Sequence, residues 1–264
     1  MLEVINIVKI GGNIIDDENS LASFLKDFGS IAGKKILVHG GGKLATKLAD
    51  RLGVQQQMID GRRITDEETL KIVTMVYAGY INKNIVAQLQ AHGCNAIGVT
   101  GADANLVPAT KRIHPTIDYG YAGDVNSSQL AVGSWQLFLD NGLCPVVAPI
   151  THDTKGKLLN TNADTMAQEI AKALSAAYQV NLIYSFEKNG VLLDVNDDSS
   201  VILKLGLSYY QQLKKEQKIF AGMIPKLDNA FDALNSGVQK VIIGKAEALQ
   251  ELITGSSGTS ITHE

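Results

Sequence analysis

Two lysines lie beside glycines far apart in the chain, where each could act on a phosphate group. Lys9 lies near the end of an apolar run and is followed by Gly11 and Gly12, the first glycine corner. Lys226 follows Gly222 in the first turn of an expected helix, where a cation opposes the helix dipole. Glycines also let backbone N–H groups approach an anion closely. The pattern indicates an anionic ligand, the alternatives being an edge-strand lysine that reaches water and an exposed helix lysine.

A second glycine corner, Gly40–Gly42, lies between an apolar run and a helical pattern. The P-loop motif is excluded because it requires glycine where Leu37 stands and Ser or Thr where Leu44 stands. The dinucleotide pattern G-x-G-x-x-[GA] is met by Gly40, Gly42 and Ala45, but no acidic residue ends a strand about 20 residues further on. A dinucleotide-binding protein therefore remains an alternative.

Polar residues elsewhere could hold the rest of a ligand. Asn160 and Asn162 alternate along an extended segment and so point the same way, and Asp164 begins the next helix. This set could fix a polar ligand or orient lysines, although Asn162 could also simply cap the helix. Arg62 and Arg63 follow a glycine and suit bidentate binding of a carboxylate, the alternative being a solvated arginine pair.

Several other chemistries lack support in the sequence. The histidines at 39, 92, 114, 152 and 263 show no metal-ligand spacing, and nothing resembles a Ser-His-Asp or Cys-His set. Cys94 and Cys144 lie in separate apolar contexts, which predicts buried, reduced thiols in a cytoplasmic protein. A net charge of -3 gives no reason to expect nucleic acid or a membrane surface as partner. We expect no signal peptide and no membrane span.

The elements that must position these residues alternate between strands and helices, which is typical of a parallel sheet covered on both faces. Apolar runs predict strands at 4–10, 35–39, 95–100, 145–150, 181–184 and 240–243. Thr65 and Glu68 predict a capping box that opens a long helix ending near Gly93. Residues 108–123 suit an inserted hairpin, and an irregular region at 153–162 leads into a helix at 163–177.

Six motifs, taken in order, resemble the amino acid kinase family. They are K-I-G-G-N at 9–13, V-H-G-G-G at 38–42, G-R-R-I-T at 61–65, A-G-x-x-N-K at 78–83, L-N-T-N-A-D at 159–164 and G-M-I-P-K at 222–226. The resemblance covers nearly the whole chain. It implies an α/β fold, a three-layer αβα sandwich on a central, mainly parallel open sheet. It also implies that residues 1–178 form an acylglutamate-binding and dimerisation lobe and residues 179–264 an ATP-binding lobe.

The resemblance is closest to family members that phosphorylate the side-chain carboxylate of N-acetyl-L-glutamate for arginine biosynthesis. It implies transfer of the γ-phosphoryl group of ATP, with Mg²⁺ carried on the ATP phosphates, to give N-acetylglutamyl 5-phosphate. An ionised carboxylate needs no general base, so the missing His/Asp dyad is expected. Phosphoryl transfer depends mainly on positioning and charge stabilisation.

The resemblance also assigns roles to individual residues. Lys9 and Lys226 would be catalytic, with Asp164 holding both in place. The backbone N–H groups that contact phosphoryl oxygens would come from Gly11, Gly12 and Gly41. The acylglutamate would be bound by Gly41, Gly42, Arg63, Asn160 and Asn162, with Arg63 on the α-carboxylate. The nucleotide would be bound by Glu187, Lys188, Asn189, Gly190, Val191, Leu192, Lys218, Ile219 and Phe220.

Some alternatives stay open within this resemblance. The basic insert residues Lys111, Arg112 and His114 would lie near the acyl group, so a longer acidic group such as succinyl is one alternative. Glu187 stands where the family usually has aspartate, which affects the expected adenine and ribose contacts. A kinase acting on carbamate, aspartate or glutamate and a nonenzymatic sensor are further alternatives. Arginine-inhibited members carry an extra N-terminal helix, and its absence here predicts a homodimer without an arginine-sensing hexamer.

Overall fold

The computed structural model describes residues 2–59, 61–219 and 221–264. The strands are β1 (Val4–Ile10), β2 (Lys34–His39), β3 (Met58–Ile59), β4 (Arg62–Arg63), β5 (Ala96–Val99), β6 (Ala109–Lys111), β7 (Ala122–Val125), β8 (Cys144–Val147), β9 (Ile150–His152), β10 (Leu158–Thr161), β11 (Gln179–Phe186), β12 (Lys204–Gly206), β13 (Lys240–Lys245) and β14 (Thr259–Thr262). The helices are α1 (Gly12–Ile15), α2 (Glu18–Ser30), α3 (Gly42–Arg51), α4 (Glu67–Val73), α5 (Asn82–Ala91), α6 (Val132–Asp140), α7 (Ala163–Leu174), α8 (Leu207–Lys215), α9 (Ile224–Asn235) and α10 (Leu249–Thr254).

A mainly parallel sheet organises the fold, with eight strands in the described residues. Its order is β12-β14-β13-β11-β1-β2-β8-β5, and β13 and β14 pair antiparallel. The strands of its centre are buried almost throughout, as expected where helices cover both faces. Buried apolar side chains form one cluster on each face of this sheet. The α/β sandwich expected from the sequence is therefore confirmed.

The central sheet runs across the expected lobe boundary at residue 178. The register of β1 on β11 runs without interruption from the pair Val4 and Gln179 to the pair Ile10 and Ser185. β1 also pairs with β2 on its other side. The two expected lobes therefore share one sheet, and their separate roles remain a prediction.

A smaller sheet, with four strands in the described part of the chain, lies beside the main one in the order β6-β7-β10-β9. β6 and β7 pair antiparallel and form the hairpin expected in the insert. The predicted strand at 145–150 is wrong in its second half, because β8 ends at Val147 and Ile150 begins β9. Pro149 lies between them and has no N–H to continue a ladder. The irregular region predicted at 153–162 is also partly wrong, since β10 pairs with β9.

The long helix begins one residue later than predicted. Asp66 is its N-cap and accepts a hydrogen bond from the Thr69 N–H at 2.7 Å, whereas Thr65 pairs with Gly120 and donates to the Arg63 carbonyl. α4 continues through a π-helical stretch (Thr74–Ile81) into α5. Among the described residues, no helix is long and apolar enough to cross a membrane.

Candidate active site

Lys9, Asp164 and Lys226 meet at the carboxyl end of the central strand. The Asp164 Oδ1 atom lies 2.6 Å from the Lys9 Nζ atom, and Oδ2 lies 2.5 Å from the Lys226 Nζ atom. Lys9 comes from β1, Asp164 from the first turn of α7 and Lys226 from the first turn of α9. Asp164 is therefore the local anion that offsets a cation at the start of α9.

The electrostatics of this cluster follow from burial and from the opposite charges. Burial alone would raise the pKa of Asp164, but Lys9 and Lys226 together hold that pKa well below its usual range. Burial lowers the pKa of Lys9, and Asp164 partly opposes this shift. One carboxylate thus faces two ammonium groups, which leaves the cluster with excess positive charge directed at a ligand.

A large cavity of 600 Å³ opens beside Lys226. It is lined by most of the residues predicted to bind nucleotide, namely Glu187, Lys188, Gly190, Val191, Leu192, Lys218 and Ile219. Asn189 is not in its lining, and its side chain donates instead to the Asp198 carbonyl. Phe220 lies outside the described residues. Phe186, Leu193, Val195 and Met223 supply apolar lining that could contact a flat ring.

A small cavity of 160 Å³ is lined in part by Asn162 and Ala163, the two residues that precede Asp164. Of the residues predicted to bind the acylglutamate, its lining includes Gly41, Arg63, Asn160 and Asn162. Gly42 is the first residue of α3. Gly40, Met58, Arg62 and Tyr77 also line it. Its size and mixed polar lining suit a small anionic molecule rather than a cofactor.

Arg63 is a buried cation of the small cavity. Its Nη2 atom donates to the Thr46 hydroxyl at 3.0 Å, and Nη1 donates to the Gln56 side chain. Burial raises the pKa of Tyr77, and the nearby Arg63 charge opposes that shift. These contacts orient the guanidinium in the lining of the small cavity.

The two asparagines of the small cavity are already engaged. The Asn160 amide donates to the Thr65 hydroxyl at 3.0 Å. The Asn162 side chain caps α7, accepting from the backbone N–H groups of Asp164 and Thr165. Helix capping by Asn162 is therefore present together with its position in the cavity lining. It also fixes the first turn of α7, and with it Asp164.

The glycine corners differ in their backbone geometry. The Gly11 N–H extends the β1 ladder by donating to the Ser185 carbonyl at 3.2 Å, so it could serve a phosphoryl group only if that bond broke. Gly12 begins α1. Gly41 has φ 149°, and an added Cβ would lie 2.2 Å from the Ile81 side chain. Glycine is therefore required at position 41, where the backbone approaches both the long helix and the small cavity.

Lys43 joins the two glycine corners directly. Its ammonium donates to the Asn13 side chain and lies 4.0 Å from the Asp16 carboxylate. Burial raises the pKa of Asp16, while Lys43 opposes that shift. Lys43 thus links α3 to α1 and does not reach Asp164.

His39 and Asn82 form a buried network behind the second corner. The His39 Nδ1 atom lies 2.8 Å from the Gly40 carbonyl, and Nε2 lies 3.2 Å from the Asn82 amide nitrogen. Burial lowers the pKa of His39 to about 4, so the ring is neutral near pH 7. His39 is therefore a buried, hydrogen-bonded residue that supports the second glycine corner.

The basic insert residues do not line the small cavity. Arg112 is paired with Asp124 at 2.7 Å, and Lys111 lies 3.9 Å from Asp118. His114 packs edge-on against Tyr119. Their positions on the hairpin do not support the proximity to the acyl group that was expected from the sequence.

Comparison with known proteins gives consistent matches over nearly the whole chain. The model of the amino acid kinase family matches residues 5–245. The acetylglutamate kinase of Cytophaga hutchinsonii is 56% identical over 96% of this chain and 95% of its own length. That of Bacteroides thetaiotaomicron is 51% identical over 95% and 97%. A solved carbamate kinase from Giardia lamblia is 15% identical with a TM-score of 0.68 over 99% of each chain, a likeness of fold alone.

Proposed function

Because the chain belongs to the amino acid kinase family, we propose that it is an acetylglutamate kinase. It transfers the γ-phosphoryl group of ATP to the side-chain carboxylate of N-acetyl-L-glutamate, a step of arginine biosynthesis. The identity of 50–56% to relatives that carry this name supports the reaction. These relatives do not favour N-succinylglutamate as the substrate, a dinucleotide-binding protein or a nonenzymatic sensor.

The observation that carries the proposal is that the Lys9–Asp164–Lys226 cluster adjoins the lining of both cavities. Lys226 lines the large cavity. Asn162 and Ala163, which directly precede Asp164, line the small one. ATP in the large cavity and acylglutamate in the small cavity would bring the reacting groups together at the two ammonium ions. Cations at this point stabilise the charge that develops on the transferring phosphoryl oxygens.

The reaction requires one bond to form and one to break at phosphorus. An oxygen of the substrate carboxylate bonds to the γ-phosphorus, and the bond from the γ-phosphorus to the β–γ bridging oxygen breaks, which releases ADP. The substrate oxygen is already ionised near pH 7, so the chain need not remove a proton. We assign the ammonium groups of Lys9 and Lys226 to the equatorial and bridging oxygens, and Asp164 to their positioning.

The side chains of the site suit a magnesium ion that is carried by ATP rather than held by the protein. Within the described residues, no group of three or more His, Cys, Asp or Glu side chains could form a metal cage, and both Asp164 oxygens face lysines. Mg²⁺ usually keeps waters and is bound largely through substrate phosphates. When bound, it would supply further neutralisation of phosphate charge.

We assign Arg63 to the α-carboxylate of the acylglutamate, with the Gly41 backbone, Asn160 and Asn162 as its neighbours. The apolar lining of the large cavity suits the adenine ring.

We further propose a homodimer in the cytoplasm. Exposed apolar side chains of the long helix, Met75 and Tyr80, support an interface there, and free thiols suit a reducing compartment. Light scattering tests the dimer, and a hexamer would contradict it.

A hydroxylamine trap tests the reaction. Protein, MgATP and N-acetylglutamate should yield acyl hydroxamate, and Lys9→Ala should lower the rate roughly a hundredfold, which corresponds to about 3 kcal/mol of barrier. Lys172→Ala is the matched control, because the Lys172 ammonium also pairs with carboxylates, those of Glu169 on its own helix and Asp232 on α9, but not with Asp164. No hydroxamate from the wild type, or full activity in Lys9→Ala, would contradict the proposal.

A further inference from the structure

Cys94 and Cys144 are far apart in the sequence but adjacent in the fold. Cys144 is the first residue of β8, and Cys94 lies just before β5. The register pairs Cys144 with Ala96, and the Cys144 N–H donates to the Asn95 carbonyl at 2.9 Å. The pair lies at the amino ends of these strands, opposite the end that carries Lys9 and the glycine corners.

The two thiols are free and buried. A hydrogen bond from Cys144 lowers the pKa of Cys94 to about 6. The same bond, together with burial, raises the pKa of Cys144 well above its ordinary value. The pair thus contains one thiol that ionises readily and one that stays protonated, an arrangement in which one sulfur attacks and the other resolves.

A cavity of 410 Å³ is lined by both cysteines and would give small molecules a route to them. Lys34, Lys35 and Glu3 also line it. The Lys34 ammonium is paired with two carboxylates, whereas the Lys35 ammonium donates to carbonyls at the end of α2 at 2.7–3.0 Å. Among the described residues, no carboxylate lies within ion-pair distance of Lys35, so its positive charge would attract an anionic reagent.

We propose that Cys94 and Cys144 form a thiol–disulfide exchange site for anionic low-molecular-weight disulfides of the glutathione class. The Cys94 thiolate attacks one sulfur of the reagent, which breaks the reagent S–S bond and releases one thiolate. The Cys144 thiol, after losing its proton to water, attacks the Cys94 sulfur and releases the second thiol. Two electrons pass from the cysteines to the reagent disulfide, leaving a Cys94–Cys144 disulfide.

The strand geometry brings the two cysteines together. Cys94 precedes Ala96, the register partner of Cys144, by two residues, and the Cys144 N–H donates to the carbonyl of Asn95, the residue after Cys94. β5 and β8 are already paired along their length, so the bond would link segments that are held together in the folded state. Because the site lies at the opposite end of the strands from Lys9, we expect its oxidation to leave kinase activity unchanged. The test is therefore independent of the proposed function.

Intact mass spectrometry of the folded full-length protein tests the proposal. Treatment with glutathione disulfide should remove the mass of two hydrogen atoms, and dithiothreitol should restore it. Cys144→Ala should stop at one glutathione adduct, and Cys94→Ala should react at least about tenfold more slowly. The wild-type rate should fall as the pH drops through about 6.

Charge is tested by a reagent comparison. Glutathione disulfide should oxidise the pair faster than cystamine, its cationic counterpart, because of the Lys35 charge. Wild-type protein that keeps both thiols until it is unfolded, or that accumulates only mixed adducts, would overturn the proposal, and these outcomes need no variant to fold. Faster reaction with cystamine would also overturn the anionic specificity.

Discussion

Asp164→Asn removes the single negative charge between two ammonium groups while keeping the size of the side chain. The Asp164 side chain is 15% exposed and that of Lys9 is 9% exposed, so water screens their interaction weakly. Removing one partner of a buried ion pair costs about 3–5 kcal/mol, because the other charge stays buried without compensation. For a chain of this length, each kcal/mol lowers Tm by roughly 2–4 °C, which predicts a fall of roughly 6–20 °C.

The pH dependence of this effect follows from the lowered pKa of Asp164. The unfolded carboxyl has a pKa near 3.9, so the unfolded chain takes up the proton at a higher pH than the folded chain. The stabilisation is therefore fully present above about pH 4 and is lost as the pH falls through the folded-state pKa. The difference between the wild type and the variant should shrink over that acid range.

Urea denaturation at neutral and acid pH measures both quantities. Asp232→Asn is the matched control. The Asp232 carboxylate likewise accepts from side chains, in this case those of α7, but it is 53% exposed. An exposed pair contributes about 1 kcal/mol or less. A double-mutant cycle combines Asp164→Asn with Lys9→Met. Removing the Lys9 charge should recover part of the unfolding free energy that Asp164→Asn loses. Equal stability of Asp164→Asn and Asp232→Asn, or a difference from the wild type that does not shrink as the pH falls below about 4, would refute the reasoning.

Three further predictions concern the corners and the small cavity. Gly41→Ala should lose about 2–4 kcal/mol of unfolding free energy by urea denaturation, because the new Cβ meets Ile81 at positive φ, whereas Gly40→Ala should change it by less than about 0.5 kcal/mol. Arg63→Lys should raise the KM for acylglutamate about 10–100-fold with a smaller effect on kcat, measured by steady-state kinetics. The lowered pKa of His39 means that the unfolded chain binds a proton first, so unfolding free energy should fall by about 3 kcal/mol from pH 7 to pH 4. His39→Gln should lack this component in urea titrations.

The parts of the site that local sequence could predict are those that end an uninterrupted apolar run. β1 begins and ends at the residues expected from the run at 4–10, because a buried apolar run that is followed by glycines after Ile10 indicates only a strand that ends there. Lys9 and Lys226 stood out because each is a charge in an unfavourable local position. Asp164 belonged to a polar set that could orient lysines, the motif resemblance assigned it to Lys9 and Lys226, and the structure brings it to both.

The parts that could not be predicted depend on partners distant in the chain. β12 and β14 are short. β14 pairs with β12 on one side and with β13 on the other, and no local sequence pattern indicates this pairing. Thr65 looked like a helix cap, but its backbone pairs with Gly120 and the cap falls to Asp66. The adjacency of Cys94 and Cys144 likewise arises from the order of strands. The position of Tyr77 in the lining of the small cavity could not be predicted from the sequence, because the hydrophobic periodicity is interpreted with the spacing of an ordinary α-helix.

The π-helical stretch Thr74–Ile81 constrains the number of residues in the long helix. Its wider turns bring Tyr77 to the small cavity and Ile81 against Gly41, and π turns of this kind often occur at functional sites. Deleting one residue there would have one of two effects. Conversion to regular α turns would move Tyr77 from the small cavity and Ile81 from Gly41, whereas retention of the π turns would rotate everything downstream by about 100° and carry Asn82 away from His39. This segment should therefore tolerate many substitutions across related sequences and almost no insertions or deletions.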